Sequence, residues 1–198
     1  MRGGKGKPRR LIAALAIAMA LGVIANAGTA AADVKSEFNN DFGGWWVVGD
    51  GLDLIGHGTG GVDGGGYISV TDGAQGKFMY WQAPPKYHGD FRHFYGGELS
   101  FAARQSIATS PIEGGKGVIL KGKKRRVALA DYSGPTGVIW TETTIDLRAK
   151  DWRNPSGSAI TKRRFKRILG SLRELKIQAE FQTGAETDSL DSVCLCAP

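Results

Sequence analysis

The chain is broken into short runs rich in β-branched, aromatic and aliphatic residues, and glycine, proline, aspartate or asparagine punctuates nearly every gap between them. The runs are WWVVG (45–49), YISVT (67–71), KFMYWQA (77–83), ELSFAA (98–103), KGVILK (116–121), RRVALADY (125–132), GVIWTETTIDL (137–147), LKIQAEF (175–181) and LDSVCL (190–195). Each is too short for a stable helix and long enough for a strand. Many short strands with turn signals between them predict an all-β sandwich rather than alternating β–α units. Alternation along a strand places Trp45 and Trp46 on opposite faces, so one of the pair is expected inside and the other outside.

One segment carries a different period. In AITKRRFKRILGSLREL, Phe165, Ile168, Leu169 and Leu172 recur at helical spacing with basic residues between them. Thr161 is placed to cap the start and Gly170 to end it. The expectation is one amphipathic helix on the edge of the sandwich, with no internal repeat and no linker long enough to divide two domains.

The first ten residues, MRGGKGKPRR, hold five basic residues and no acidic one, and the apolar run LIAALAIAMALGVIA follows. Ala30 and Ala32 then offer a small-x-small cleavage site. Residues 1–32 read as a secretory signal peptide, with the Arg9-Arg10 pair allowing the twin-arginine route, and the apolar run is short for a membrane span. Residues 33–198 read as a single domain, long enough to bury a substantial core. The whole chain has 26 basic and 19 acidic residues, but only 21 of the basic ones lie beyond residue 32. The net charge of +7 is therefore mostly a property of the leader, and a nucleic-acid partner loses its main support. The remaining charge is uneven, with 5 basic and 10 acidic residues over 33–115 and 16 and 9 over 116–198, which points to one basic face. Cys194 and Cys196 lie two apart, too far along an ideal strand for a bond. Free thiols or pairing with another chain are the expectations.

Several segments, in order, resemble the laminin IV type A domain, also called the laminin B domain. They are SEFNNDFGGWWVVGDG (36–51), YWQAPPKYHGDFRHFYGGELSF (80–101), GVILKGKKRRVAL (117–129), Trp152, ITKRRFKRILGSLRELKIQAEF (160–181) and LDSVCL (190–195). The most specific is the second: a strand ending in a small residue and proline, then Gly-Asp, four residues, Tyr-Gly and a further strand. The resemblance implies a jelly-roll β-sandwich related to carbohydrate-binding modules, extracellular and non-enzymatic. The ending CLCAP is similar to the start of a cysteine-rich repeat, and the whole is similar to a free-standing secreted copy of the module. Sandwiches of this kind often hold a structural Ca²⁺ between the first turn and the last strand. Asn39, Asp41 and Asp191 occupy comparable positions, with turn capping as their alternative role.

Other constellations have plainer roles. His88, Asp90 and His93 could supply three metal ligands, but their spacing suits no element. The resemblance matches only Gly89, Asp90, Tyr95 and Gly96 there, so a turn with incidental histidines is the better reading. GHGTGG (56–61) fits the dinucleotide fingerprint in letters only, because a strand and not a helix follows, and it is read as a loop. His57, His88 and His93 are all placed in loops, and no nucleophile elbow or zinc-protease motif accompanies them.

Two binding surfaces remain. The first joins Lys121, Lys123, Lys124, Arg125 and Arg126 with Lys162, Arg163, Arg164, Lys166 and Arg167, a set suited to polyanionic glycans. The second is aromatic, drawn from Trp45, Trp46, Tyr67, Tyr80, Trp81, Phe94, Tyr95, Trp140 and Trp152. The expected function is non-enzymatic binding of an extracellular glycan or matrix protein through the basic surface, with membrane contact only through the leader. A lectin for neutral sugars is the alternative, and a glycan hydrolase a more remote one.

Overall fold

The computed structural model describes residues 32–73, 76–107, 115–135, 137–182 and 184–198. The expected signal segment, up to residue 31, lies outside the described residues. Eleven strands and one helix follow in order: β1 (Val34–Ser36), β2 (Trp46–Val48), β3 (Gly51–His57), β4 (Tyr67–Asp72), β5 (Tyr80–Gln82), β6 (Glu98–Gln105), β7 (Val118–Gly122), β8 (Arg126–Ala130), β9 (Thr141–Asp146), α1 (Lys162–Leu169), β10 (Leu172–Gln178) and β11 (Thr187–Cys196). They form two antiparallel sheets. One has the order β3-β4-β11-β6-β9 with β1 added beside β11, and the other runs β2-β5-β10-β7-β8. The chain crosses repeatedly between the sheets, which is the jelly-roll sandwich expected.

Alternation fills the space between the sheets. Ile68 and Val70 of β4, Leu99 and Phe101 of β6, Leu120 of β7, and Leu175 and Ile177 of β10 are buried there. Trp81, Trp152, Tyr87, Phe94, Phe101 and Phe165 are the largest fully enclosed rings. Of the tryptophan pair, Trp45 is 2% exposed and Trp46 40%.

Tyr80–Phe101 of the family-like segment holds two 3-10 turns, Pro85–Tyr87 and Arg92–Phe94. Its anchor is Tyr87, which is buried, donates a hydrogen bond to the Val193 carbonyl (3.1 Å) and lies 3.1 Å from Ser36 Oγ. Desolvation raises the pKa of this phenol, so it stays protonated and able to donate. Asp90 accepts from the Arg92 backbone amide and pairs with the Arg92 side chain. These bonds hold its carboxyl below the usual range and explain it as a turn former.

Three expectations need correction. The segment 51–57 is strand β3, so His57 sits at a strand end and not in a loop. Its period was hidden by a register shift between Leu52 and Ile55, with Asp53 at φ 47°, and by its exposure at the sheet edge. Leu172 begins β10 instead of closing the helix. Cys194 and Cys196 form a disulfide with each other, with Cα atoms 5.4 Å apart. Two residues of ideal strand span roughly 6.6 Å. That already falls at the upper end of the ~4.4–6.8 Å between Cα atoms that a disulfide spans, and the end of β11 draws the pair closer still, so the two side chains on one face can bond.

Helix α1 is capped as expected: Thr161 Oγ1 accepts from the Arg164 amide (3.2 Å), and Gly170 ends it. Its buried face is Phe165, Ile168 and Leu169. Phe165 stacks on Trp152 with ring centroids 5.2 Å apart and meets Tyr95 edge-on. Phe165→Ala is expected to cost about 3–5 kcal/mol of unfolding free energy, read as a lowered urea midpoint. A loss under about 1 kcal/mol would mean that the helix does not depend on this ring.

Candidate functional site

The hairpin β7–β8 and helix α1 bring together two basic runs that lie some forty residues apart. The Lys123 amide donates to Ser171 Oγ (3.1 Å), which donates to the Arg167 carbonyl (3.0 Å). A side chain at Gly122 would press on the Ile168 backbone, so glycine allows hairpin and helix to touch. The β7–β8 hairpin and the last turn of α1 are therefore adjacent, and the ten cations expected to act together lie on this hairpin and this helix. Lys121 pairs with Glu174 at 3.3 Å, and among the described residues none of the other nine has an ion-pair partner.

Local structure is set against itself at this surface. The hairpin tip has both Lys124 (φ 56°) and Arg125 (φ 53°) in the left-handed region, a type I′ arrangement in which Asn-Gly is favoured. Each non-glycine residue there costs about 1 kcal/mol or more. The first turn of α1 holds cations and no acid, which opposes the helix dipole. Lys162 and Lys166 hold their ammonium groups 5.2 and 4.9 Å from the Tyr95 ring centre.

A second arrangement lies on the outer face of the six-stranded sheet. His57 and Tyr67 stack with centroids 4.1 Å apart, and Trp140 meets Tyr67 edge-on at 5.4 Å. The Arg104 guanidinium sits 4.6 Å from the Tyr67 ring centre and 4.5 Å from that of Trp140. Trp140 Nε1 donates to the Gly60 carbonyl, and His57 Nε2 lies 2.8 Å from Ser69 Oγ. Burial, then the Arg104 charge, lowers the His57 pKa, keeping the ring neutral at physiological pH. A cleft of about 310 Å³ opens beside them, lined also by Thr187, Ser189 and Gln105. Tyr67 and Trp140 were among the aromatics named from sequence, whereas Arg104 and His57 were not. Arg104's only sequence signal is its outward position on β6.

Asn39 and Asp191 hold the same glycine-rich loop. Asn39 Oδ1 accepts from the Gly66 amide and Asp191 Oδ2 from the Val62 amide, both at 2.8 Å. A Cβ at Gly65 would collide with Asn39 Oδ1, and one at Gly61 with Asp191 Oδ2. Asp41 caps its own turn by accepting from the Gly43 amide, and among the described residues no hydrogen bond joins it to the other two. Among the described residues His88, Asp90 and His93 do not bring three ligand atoms together, and Arg92 engages the Asp90 side chain.

A further set of carboxylates, at the opposite end of β4, was not read from the sequence. Asp50, Asp72, Glu180, Glu186 and Asp188 are all buried, with exposures between 1% and 9%. Enclosed in this way, they offer no substrate access of the kind glycoside hydrolysis needs. Desolvation first, then the neighbouring acids, push Asp188 up to about 9. Glu180 rises to about 7 by desolvation, eased by the Met79 amide.

Comparison with known proteins places this geometry. The profile described as Laminin B (Domain IV) matches residues 80–197. Among solved structures, the L4b domain of human laminin alpha-2 is 16% identical, with a TM-score of 0.58 over 66% of this chain and 80% of that one. The family 30 carbohydrate-binding module of the cellulosomal cellulase Cel9D-Cel44B of Clostridium thermocellum is 13% identical, with a TM-score of 0.51 over 83% and 96%. An exo-beta-agarase is 10% identical, with a TM-score of 0.55 over 79% of this chain and 24% of its own. At these identities the structures speak for the fold alone. By sequence and by fold, the chain belongs to the laminin B (domain IV) family.

Proposed function

We propose that the protein is a secreted, non-enzymatic binding module that takes a polyanionic extracellular glycan on the surface formed by the β7–β8 hairpin and helix α1. The observation that carries this reading is the convergence of two distant basic runs with nine cations free of ion pairs among the described residues. A surface of one sign attracts polyanions from a distance and weakens with salt. The laminin B family is extracellular, and no described helix is long and apolar enough to cross a membrane. The first of these supports the secreted setting.

The strained tip permits a test that separates charge from folding. Lys124→Asn with Arg125→Gly suits the I′ turn, so this variant is expected to gain about 1 kcal/mol of stability. It should nevertheless elute from heparin-agarose at clearly lower salt than the parent. A parent protein that flows through heparin-agarose at 0.15 M NaCl would retire the proposal.

The cleft lined by Arg104 and Tyr67, with Trp140 packed against both, favours a second reading, a subsite for neutral sugar. An aromatic face, a guanidinium and serine and threonine hydroxyls suit a saccharide's apolar face and its hydroxyl groups. Trp140→Ala is then expected to weaken binding of any neutral oligosaccharide found on a glycan array about tenfold, the equivalent of ~1.4 kcal/mol. The loss should be the same at 0.05 and 0.5 M salt. Neutral-glycan binding that survives Trp140→Ala would place the sugar elsewhere.

A further inference from the structure

Alternation predicts apolar residues wherever a strand of this sandwich faces the core, and at two such positions there is an acid. Asp72 shares the inward face of β4 with Ile68 and Val70, and Asp188 shares that of β11 with Leu190. Asp72 is 3% exposed and Asp188 2%, and among the described residues none of their four carboxylate oxygens has a hydrogen-bond partner. Glu186 Oε2 is likewise buried without one. No ion pair among the described residues reaches Asp72, Glu180, Glu186 or Asp188. An enclosed carboxylate with neither donor nor counter-charge is strongly unfavourable, so something must neutralise this set.

We propose that the inward carboxylates Asp72 and Asp188, with Asp50, Glu180 and Glu186, form a buried Ca²⁺ site between the two sheets. One oxygen each from Asp50, Asp72 and Glu180 lies within 4.8 Å of the others. That is about twice a Ca–O bond of ~2.4 Å, so the three oxygens are close enough to share one cation. Hard oxygen donors with no imidazole or thiolate select calcium over transition metals. Asp188, outside that trio, adds an independent pointer, since it is 2% exposed on the inward face and both its oxygens are bare among the described residues.

The backbone fixes the ring. Glu186 Oε1 accepts from the Phe181 and Gln182 amides, and Glu180 Oε2 from the Met79 amide. The Asp72 amide donates to the Glu186 carbonyl, and Gly73 to that of Asp50. Strand ends from both sheets are thus held around one point, which a cation would bind together. The site is separate from the Asn39–Asp191 loop, which lies at the other end of β4, roughly 17 Å of strand away.

The test uses the purified protein stripped with EGTA and then titrated with Ca²⁺ alone. Calcium at about a hundred times its dissociation constant is expected to raise Tm by roughly 5–10 °C. Calorimetry should report the binding. Asp188→Asn, which removes a buried charge and so should still fold, is expected to lose at least tenfold in calcium affinity, whereas Asn39→Ala keeps it. No change in Tm with calcium up to 10 mM would overturn the site. So would a response that survives in Asp188→Asn with undiminished affinity, or one abolished by Asn39→Ala alone.

Discussion

Strand β11 is the constraint on which the rest depends. It pairs with β4 through Thr187–Leu190 and with β1 through Val193–Leu195 on one edge, and with β6 along the other. A central strand leaves its backbone groups no alternative partner, so its register sets that of its neighbours. Through β4 it fixes β3, and through β6 it fixes β9. The irregularity between Asp191 and Cys194 is where its partner changes from β4 to β1. Around that point the chain places Asp191 against the glycine loop, accepts the Tyr87 hydroxyl on Val193, and closes the disulfide.

How legible each feature was depends on how far apart its parts lie. The sandwich could be read from the sequence because alternation and turn residues are local, and each predicted run overlaps a strand, although β10 and β11 both start three residues before their runs, at Leu172 and Thr187. β1 is three residues long and β3 is exposed and bulged, so neither leaves a regular period. The disulfide was missed although two residues of strand, roughly 6.6 Å, already lie within the reach of such a bond. Both basic runs were plain as composition, and their contact was expected but depends on Gly122 and Ser171, which carry no charge. The Arg104 cluster draws one residue each from β3, β4, β6 and the segment before β9, so only the register of the finished sheet assembles it.

The buried acids change how the outer surface should be weighed. Beyond residue 32 the chain carries 21 basic and 19 acidic residues, a nearly neutral composition. Yet Asp50, Asp72, Glu180, Glu186, Asp188 and Asp191 are all buried, while no lysine or arginine is among the buried side chains described. Whether a bound cation or protons neutralise the enclosed set, these acids contribute little field to solvent. The surface is therefore more positive than the composition suggests, and the hairpin–helix face is where that excess is least compensated. Acids inside the sandwich and cations outside it are two sides of one charge distribution: placing carboxylates between the sheets leaves the exterior basic.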